Sequence, residues 1–260
     1  MGRERTGRQP QMPLASSGRG KGPTWLLVLV TFSLAAAAPA IQQSDVVYEE
    51  ESWSLPPELE PHLMWYLYRK LAFLRSPLPG ARVPRSPAHL PGAPRPYRQG
   101  IHQGIDFVTG DCGVPVTVST PVRAAADGLV IRADHDYQEM SPAERQQILS
   151  RILAGDRDPQ LLDRLHGRQV WLLHRGDVLT RYSHLSRIPE DVVPYTRVRA
   201  GQLVGYAGNS GTSYGTLGSD LGVHLHWEIF VRGRPFWWGL RQESMKALLQ
   251  FILEGDAGGQ

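Results

Sequence analysis

Beyond residue 99 the chain consists of short runs rich in Val, Ile, Leu and aromatic residues, punctuated by glycine: GIDFV (104–108), GLVIRA (128–133), QVWLLH (169–174), VLTRYSHL (178–185), QLVGYAG (202–208) and HLHWEIFV (224–231). Runs this brief suit a pleated, half-buried surface better than a helix of ordinary length. They predict a mainly β architecture, an antiparallel β-sheet or sandwich. The 27 glycines and 21 prolines agree with a chain of many turns and few long helices. Its 260 residues allow one medium domain with extensions or two small ones, and a hydrophobic fraction of 41% is ordinary for a chain with a real core.

Helices are predicted at three places. Residues 57–75 keep Leu59, Leu63, Leu67, Leu71 and Leu74 at i, i+3 or i+4 spacing, which makes one apolar stripe, and Pro77 ends it. Between the second and third strand runs, about residues 134–168, lies a helical insertion. It opens at Ser141-Pro142-Ala143-Glu144, a capping box with proline at the first helical position, and should run to about Ala154, with a second short helix over 159–165. A closing helix and tail occupy 241–260. Residues 77–98, rich in proline and arginine and without an acid, read as an extended linker after an acidic and helical segment over 41–76, with the main domain over 99–240.

The N-terminus reads as an address. A basic head precedes WLLVLVTFSLAAAA (25–38), and Ala38-Pro39-Ala40 offers small residues for cleavage. This is the pattern of a secretory signal, or of a membrane anchor if the segment is left uncleaved. Either way the remainder is exported. The head also explains the formal charge of +3. Residues 1–22 hold five of the 28 basic residues and one of the 25 acidic ones, so the chain from residue 41 carries 23 bases against 24 acids. That near-neutral balance does not support a nucleic-acid partner. The single cysteine, Cys112, excludes an intramolecular disulfide and reads as a small residue in a turn. The sequence specifies no oligomeric state.

Three histidine patterns stand out: His102-x-x-x-Asp106, Tyr182-x-His184 and His224-x-His226. On an extended chain, i, i+2 and i+4 share a face, and Leu225 and Trp227 point the other way, into a core. Any one pattern is weak evidence. Together they supply imidazoles and a carboxylate for a metal, with histidines to spare. Catalytic zinc suits such a set, since it takes three N or O ligands and keeps a fourth position for water.

The order and Gly-rich context of these motifs resemble the lysostaphin/LytM-type zinc metallopeptidases over roughly residues 99–235. The resemblance rests on His102-x-x-x-Asp106, PVRAAADG (121–128), YSHL (182–185), VRAGQLVGYAGNSG (198–211) and GVHLHWE (222–228). It implies one zinc ion per chain held by His102, Asp106 and His226, with His184 and His224 as catalytic histidines, and a peptidoglycan peptide as substrate. A regulatory module of the same fold that activates other wall hydrolases, or a protease of exported proteins, stays open as an alternative. Two segments exceed the family pattern, 134–168 and 212–221, and both are expected to line or narrow the groove. His174 is expected at a strand end without a metal role, and His135 and His166 at the surface. Trp237 and Trp238 are assigned to packing of the closing helix, and Arg175 and Arg181 lie near enough in sequence to meet an acidic peptide.

Overall fold

The computed structural model describes residues 55–255. The basic head, the apolar segment 25–38 and the acidic stretch at 45–53 lie outside those residues. Among the described residues no helix is long and apolar enough to cross a membrane.

In chain order the elements are α1 (Glu60–Leu71), β1 (Pro94–Arg95), β2 (Gly100–Ile101), β3 (Ile105–Val108), β4 (Pro121–Arg123), β5 (Gly128–Ala133), α2 (Pro142–Leu153), α3 (Pro159–Leu165), β6 (Val170–His174), β7 (Val178–Ser183), β8 (Arg197–Val198), β9 (Leu203–Tyr206), β10 (His224–Val231), β11 (Arg234–Pro235) and α4 (Gln242–Glu254). The main sheet runs β11-β10-β7-β6-β5-β8, and β3 also pairs with β10. Its pairings are antiparallel throughout. The expected β architecture, with its helical insertion and flanking helices, is the one that forms.

Strand β10 is the central element. It pairs with β7 along one side, while β3 and then β11 take successive parts of the other. Alternation divides its side chains between two faces. Leu225, Trp227, Ile229 and Val231 enter the main core. His224, His226, Glu228 and Phe230 therefore share the opposite face, and Phe230 packs there with Trp171 and Leu179. The core face is covered by α1 and α4, which supply Leu67, Leu71, Leu248, Leu249 and Ile252.

Helix α1 is shorter than its 57–75 pattern. Pro61 lies in its first turn, and it stops at Leu71, after which the Arg75 N–H donates to Ala125 O and Leu74 packs into the core. Leu59, the first residue of the predicted stripe, is 47% exposed.

The Pro/Arg-rich run differs from a linker in its packing. Leu78, Ala81 and Leu90 are buried in the same core as the sheet, and β1 pairs with β2. Proline density favours an extended spacer, but the few apolar residues between the prolines anchor the run as a strap across the sheet. Cys112 is fully buried beside the end of β3.

The insertion forms as two helices with a small core of their own, built from Met140, Ile148, Ile152 and Leu161. Ser141 caps α2 by accepting from the Glu144 N–H, and Asp158 caps α3 by accepting from the Gln160 N–H. Arg132 reaches Asp163 from β5 and Arg164 reaches Glu144, which fixes the pair on the sheet.

Candidate metal centre

The register of β10 against β3 puts His226 directly opposite Asp106. Directly opposed residues on one face are nearest neighbours, so the side chains meet. His102 arrives differently from the expected single strand. It precedes β3 in the irregular turn after β2, where its N–H donates to Ala93 O and its Nδ1–H to Leu90 O at 2.9 Å. Gly104 permits this approach, because a Cβ there would stand 2.5 Å from Trp227 O.

Three donor atoms converge. Asp106 Oδ1 is 2.9 Å from His102 Nε2 and 2.7 Å from His226 Nδ1, and the two nitrogens are 3.1 Å apart. All three residues are buried, and together they form a group able to hold a metal ion. Ligands about 2.0–2.2 Å from a tetrahedral zinc stand roughly 3.3–3.6 Å apart, so the three atoms would spread by roughly 0.2–0.9 Å to admit the ion. The remaining ring nitrogens of both histidines have fixed partners, as metal-ligating histidines require. His102 uses the Leu90 carbonyl. His226 Nε2 lies 3.3 Å from Glu228 Oε1.

Glu228 is 1% exposed and binds more than His226. Arg181 Nη1 is 3.4 Å from its Oε2, and His166 Nε2 is 3.6 Å from its Oε1. Arg181 thus lies buried beneath the site, its guanidinium stacked over Trp171, and is not presented to a substrate. Arg175 stands over Phe73, away from the centre. His166, expected at the surface, is only 9% exposed, with its ring 5.3 Å from that of His226. It follows α3, and its carbonyl accepts from the His184 N–H, so the insertion carries an imidazole into the site. His166, His226 and Glu228 make a second metal-capable group that shares His226 with the first.

His184 also departs from the expected strand geometry. β7 ends at Ser183, and His184 takes a left-handed backbone with φ 59°. The turn points its ring at the cavity, with Nδ1–H donated to Ser210 O at 2.7 Å. Tyr182 points into the core, where its hydroxyl accepts from the Ala125 N–H. His224 anchors Nδ1 on Gly222 O, places Nε2 3.8 Å from Asp106 Oδ1, and has its ring 4.7 Å from that of His184. All five predicted residues therefore line one cavity of about 460 Å³. The insertion walls it with Arg145, Leu149, Leu162 and Leu165, and the loop after β9 adds Gly211, Thr212 and Ser213. Glu139 holds that loop by accepting from the Gly211 N–H. His174 stays outside, bonded to Asp127 O and Thr180 Oγ1, and His135 is exposed.

Burial dominates the electrostatics, and partners decide its outcome. It pushes His102 down to about 4, with the Asp106 carboxylate offsetting only part. Burial opposes charge on His226 too, but hydrogen bonds to Asp106 and Glu228 outweigh it and raise its pKa to about 9. Burial works against ionised Asp106, yet the surrounding imidazoles of His102 and His224 hold its carboxyl well below the usual range. Burial first, then the adjoining imidazoles, keeps His184 well below an ordinary histidine.

A His–Asp–His cluster on an antiparallel sheet, with two further imidazoles across an open cavity, has the donors for one metal and the bases for proton transfer. The chain belongs to peptidase family M23, whose model matches residues 100–237. It is similar to the peptidoglycan DD-endopeptidase ShyA of Vibrio cholerae, at 30% identity over 139 residues, or 53% of this chain and 22% of that one. ShyC of the same organism is 30% identical over 166 residues, covering 63% and 28%. Both alignments span less than a third of those relatives. Among solved structures, a zinc containing peptidase from Vibrio cholerae shares 26% identity with a TM-score of 0.40, covering 63% of this chain and 38% of that one. The catalytic domain of lysostaphin from Staphylococcus simulans shares 21% with a TM-score of 0.33, covering 55% and 79%.

Proposed function

We propose that the chain is a zinc metalloendopeptidase of the cell envelope, with one zinc ion per chain, that hydrolyses peptide bonds in peptidoglycan cross-links or stem peptides. The observation that carries this is the approach of His102 Nε2, Asp106 Oδ1 and His226 Nδ1 to within 2.7–3.1 Å of one another, inside the cavity and inside the family's span. The names of the relatives support the substrate, and a wall substrate requires export. The complete donor set favours an enzyme over a regulatory module of the same fold.

Zinc, when bound, supplies a Lewis acid for the scissile carbonyl and lowers the pKa of its water toward about 7. His184 is the general base: with Nδ1–H committed to Ser210 O, its Nε2 carries a lone pair toward the cavity. His224, anchored through Nδ1 on Gly222 O with its ring 4.7 Å from that of His184, faces the oxygen that gains charge as the carbonyl is attacked. Glu228 holds the His226 ring in the orientation that turns Nδ1 toward Asp106. The insertion and the 211–213 loop wall the cavity in which the reacting bond would lie.

The test is digestion of purified peptidoglycan by the zinc-loaded protein, with released peptides read by mass spectrometry. Chelator-sensitive release of peptides is expected, and their masses identify the bond. Intact peptidoglycan after incubation with zinc-loaded protein contradicts the proposal.

A further inference from the structure

The walls of this cavity carry more positive charge than the metal centre and its histidines use. Arg95 and Arg98 project from the strap on one side, and Arg145 from α2 on the other. Asp106 is the single carboxylate among the described residues lining the cavity.

Arg95 is spoken for in part. Its Nη2 lies 2.9 Å from Ala88 O and 3.2 Å from Asp106 Oδ2, the oxygen turned away from the two ligand histidines. The other two have no carboxylate partner among the described residues. Arg98 is only 9% exposed, yet its sole hydrogen bond there is from Nη2 to the Ile101 carbonyl at 2.7 Å. Arg145 donates from Nε to Gly211 O at 3.4 Å. A guanidinium has five N–H donors and keeps its charge, so most of the donor capacity of Arg98 and Arg145 is unspent. A buried charge without a counter-ion is costly, and helix stability does not call for a base in the first turn of α2. Both features make sense if an anion completes the site.

We propose, resting on the peptidase reading of this cavity, that the substrate presents a free carboxylate close to the scissile bond and that Arg98 and Arg145 bind it. The cavity reaches from these arginines to His184 and His224, so one peptide can meet both groups. A planar carboxylate matches the paired N–H groups of a guanidinium. The carboxylate is either the terminal one of a stem peptide or one borne on a side chain.

The test is equilibrium binding of synthetic cross-linked stem-peptide dimers to the full chain in its metal-free form, where no cleavage occurs. Four dimers are compared: free carboxylates, terminal carboxylate amidated, side-chain carboxylate amidated, and both amidated. The doubly amidated dimer is expected to bind roughly tenfold more weakly or worse than the free one. The singly amidated dimers show which carboxylate is read. The preference should collapse in Arg98→Gln and in Arg145→Gln; Arg145 is less buried, so its variant keeps the test valid if Arg98→Gln fails to fold. Equal binding of free and doubly amidated dimers overturns the inference, as does a preference that survives in the folded variants. A binding preference without cleavage by the zinc-loaded protein would uphold carboxylate recognition by Arg98 and Arg145 and sink the peptidase reading.

Discussion

His226 and Glu228, two positions apart on β10, turn to the same face, with His226 Nε2 3.3 Å from Glu228 Oε1. Orienting carboxylates of this kind typically contribute 10–100-fold to metal affinity. Glu228→Gln keeps an acceptor oxygen but loses the charge, so zinc affinity measured by chelator competition should fall by about tenfold or more. Glu228→Ala also strands the buried Arg181, and should cost roughly 3–5 kcal/mol of stability in urea unfolding. Zinc affinity in Glu228→Gln equal to that of the parent would show that the carboxylate does not orient His226.

Leu90 links the strap to the centre twice. Its side chain is fully buried and its carbonyl accepts from His102 Nδ1. Leu90→Ala should cost about 2–5 kcal/mol by cavity formation and weaken zinc binding as His102 loses its support. Unchanged stability would mean that residues 77–98 are the free linker their composition suggested.

His174 gives a pH signature clear of the metal centre. Burial lowers its pKa below the ordinary value of about 6.5, and the ring bonds through Nδ1 to Asp127 O and through Nε2 to Thr180 Oγ1. Since the unfolded chain takes up this proton more readily, the contribution is present above about pH 6.5. It is lost as pH falls through the folded-state pKa. His174→Gln, which can make both bonds but does not titrate, should lose less stability between pH 7.5 and 5 than the parent. Equal losses would contradict the assignment.

The strands, the insertion and the pair His224 and His226 were legible because their signals are local, whereas His102, Asp106 and His184 joined the set through the motif order that carries the family resemblance. Period-two alternation placed His224 and His226 opposite Leu225 and Trp227, and the capping box marked the start of α2. The same alternation extends to Glu228, so its place beside His226 was open to the same reasoning. His166 and the arginines of the cavity were not legible in this way. Their positions depend on how the insertion folds back over the sheet and how the strap crosses it. Both are set by contacts between residues distant in sequence, such as Arg132 with Asp163 for the insertion and the Arg82 N–H with Cys112 O for the strap. His184 shows the limit of strand reasoning: it reaches the cavity through one left-handed residue beyond the end of β7.

The most direct test of the central claim is zinc content, measured by elemental analysis on the purified protein and on His226→Ala and His184→Ala, alongside peptidoglycan cleavage. The account predicts one zinc per parent chain, loss of zinc and cleavage together in His226→Ala, and retained zinc without turnover in His184→Ala. A full complement of zinc in His226→Ala, or stoichiometric loss of zinc in His184→Ala, would contradict it.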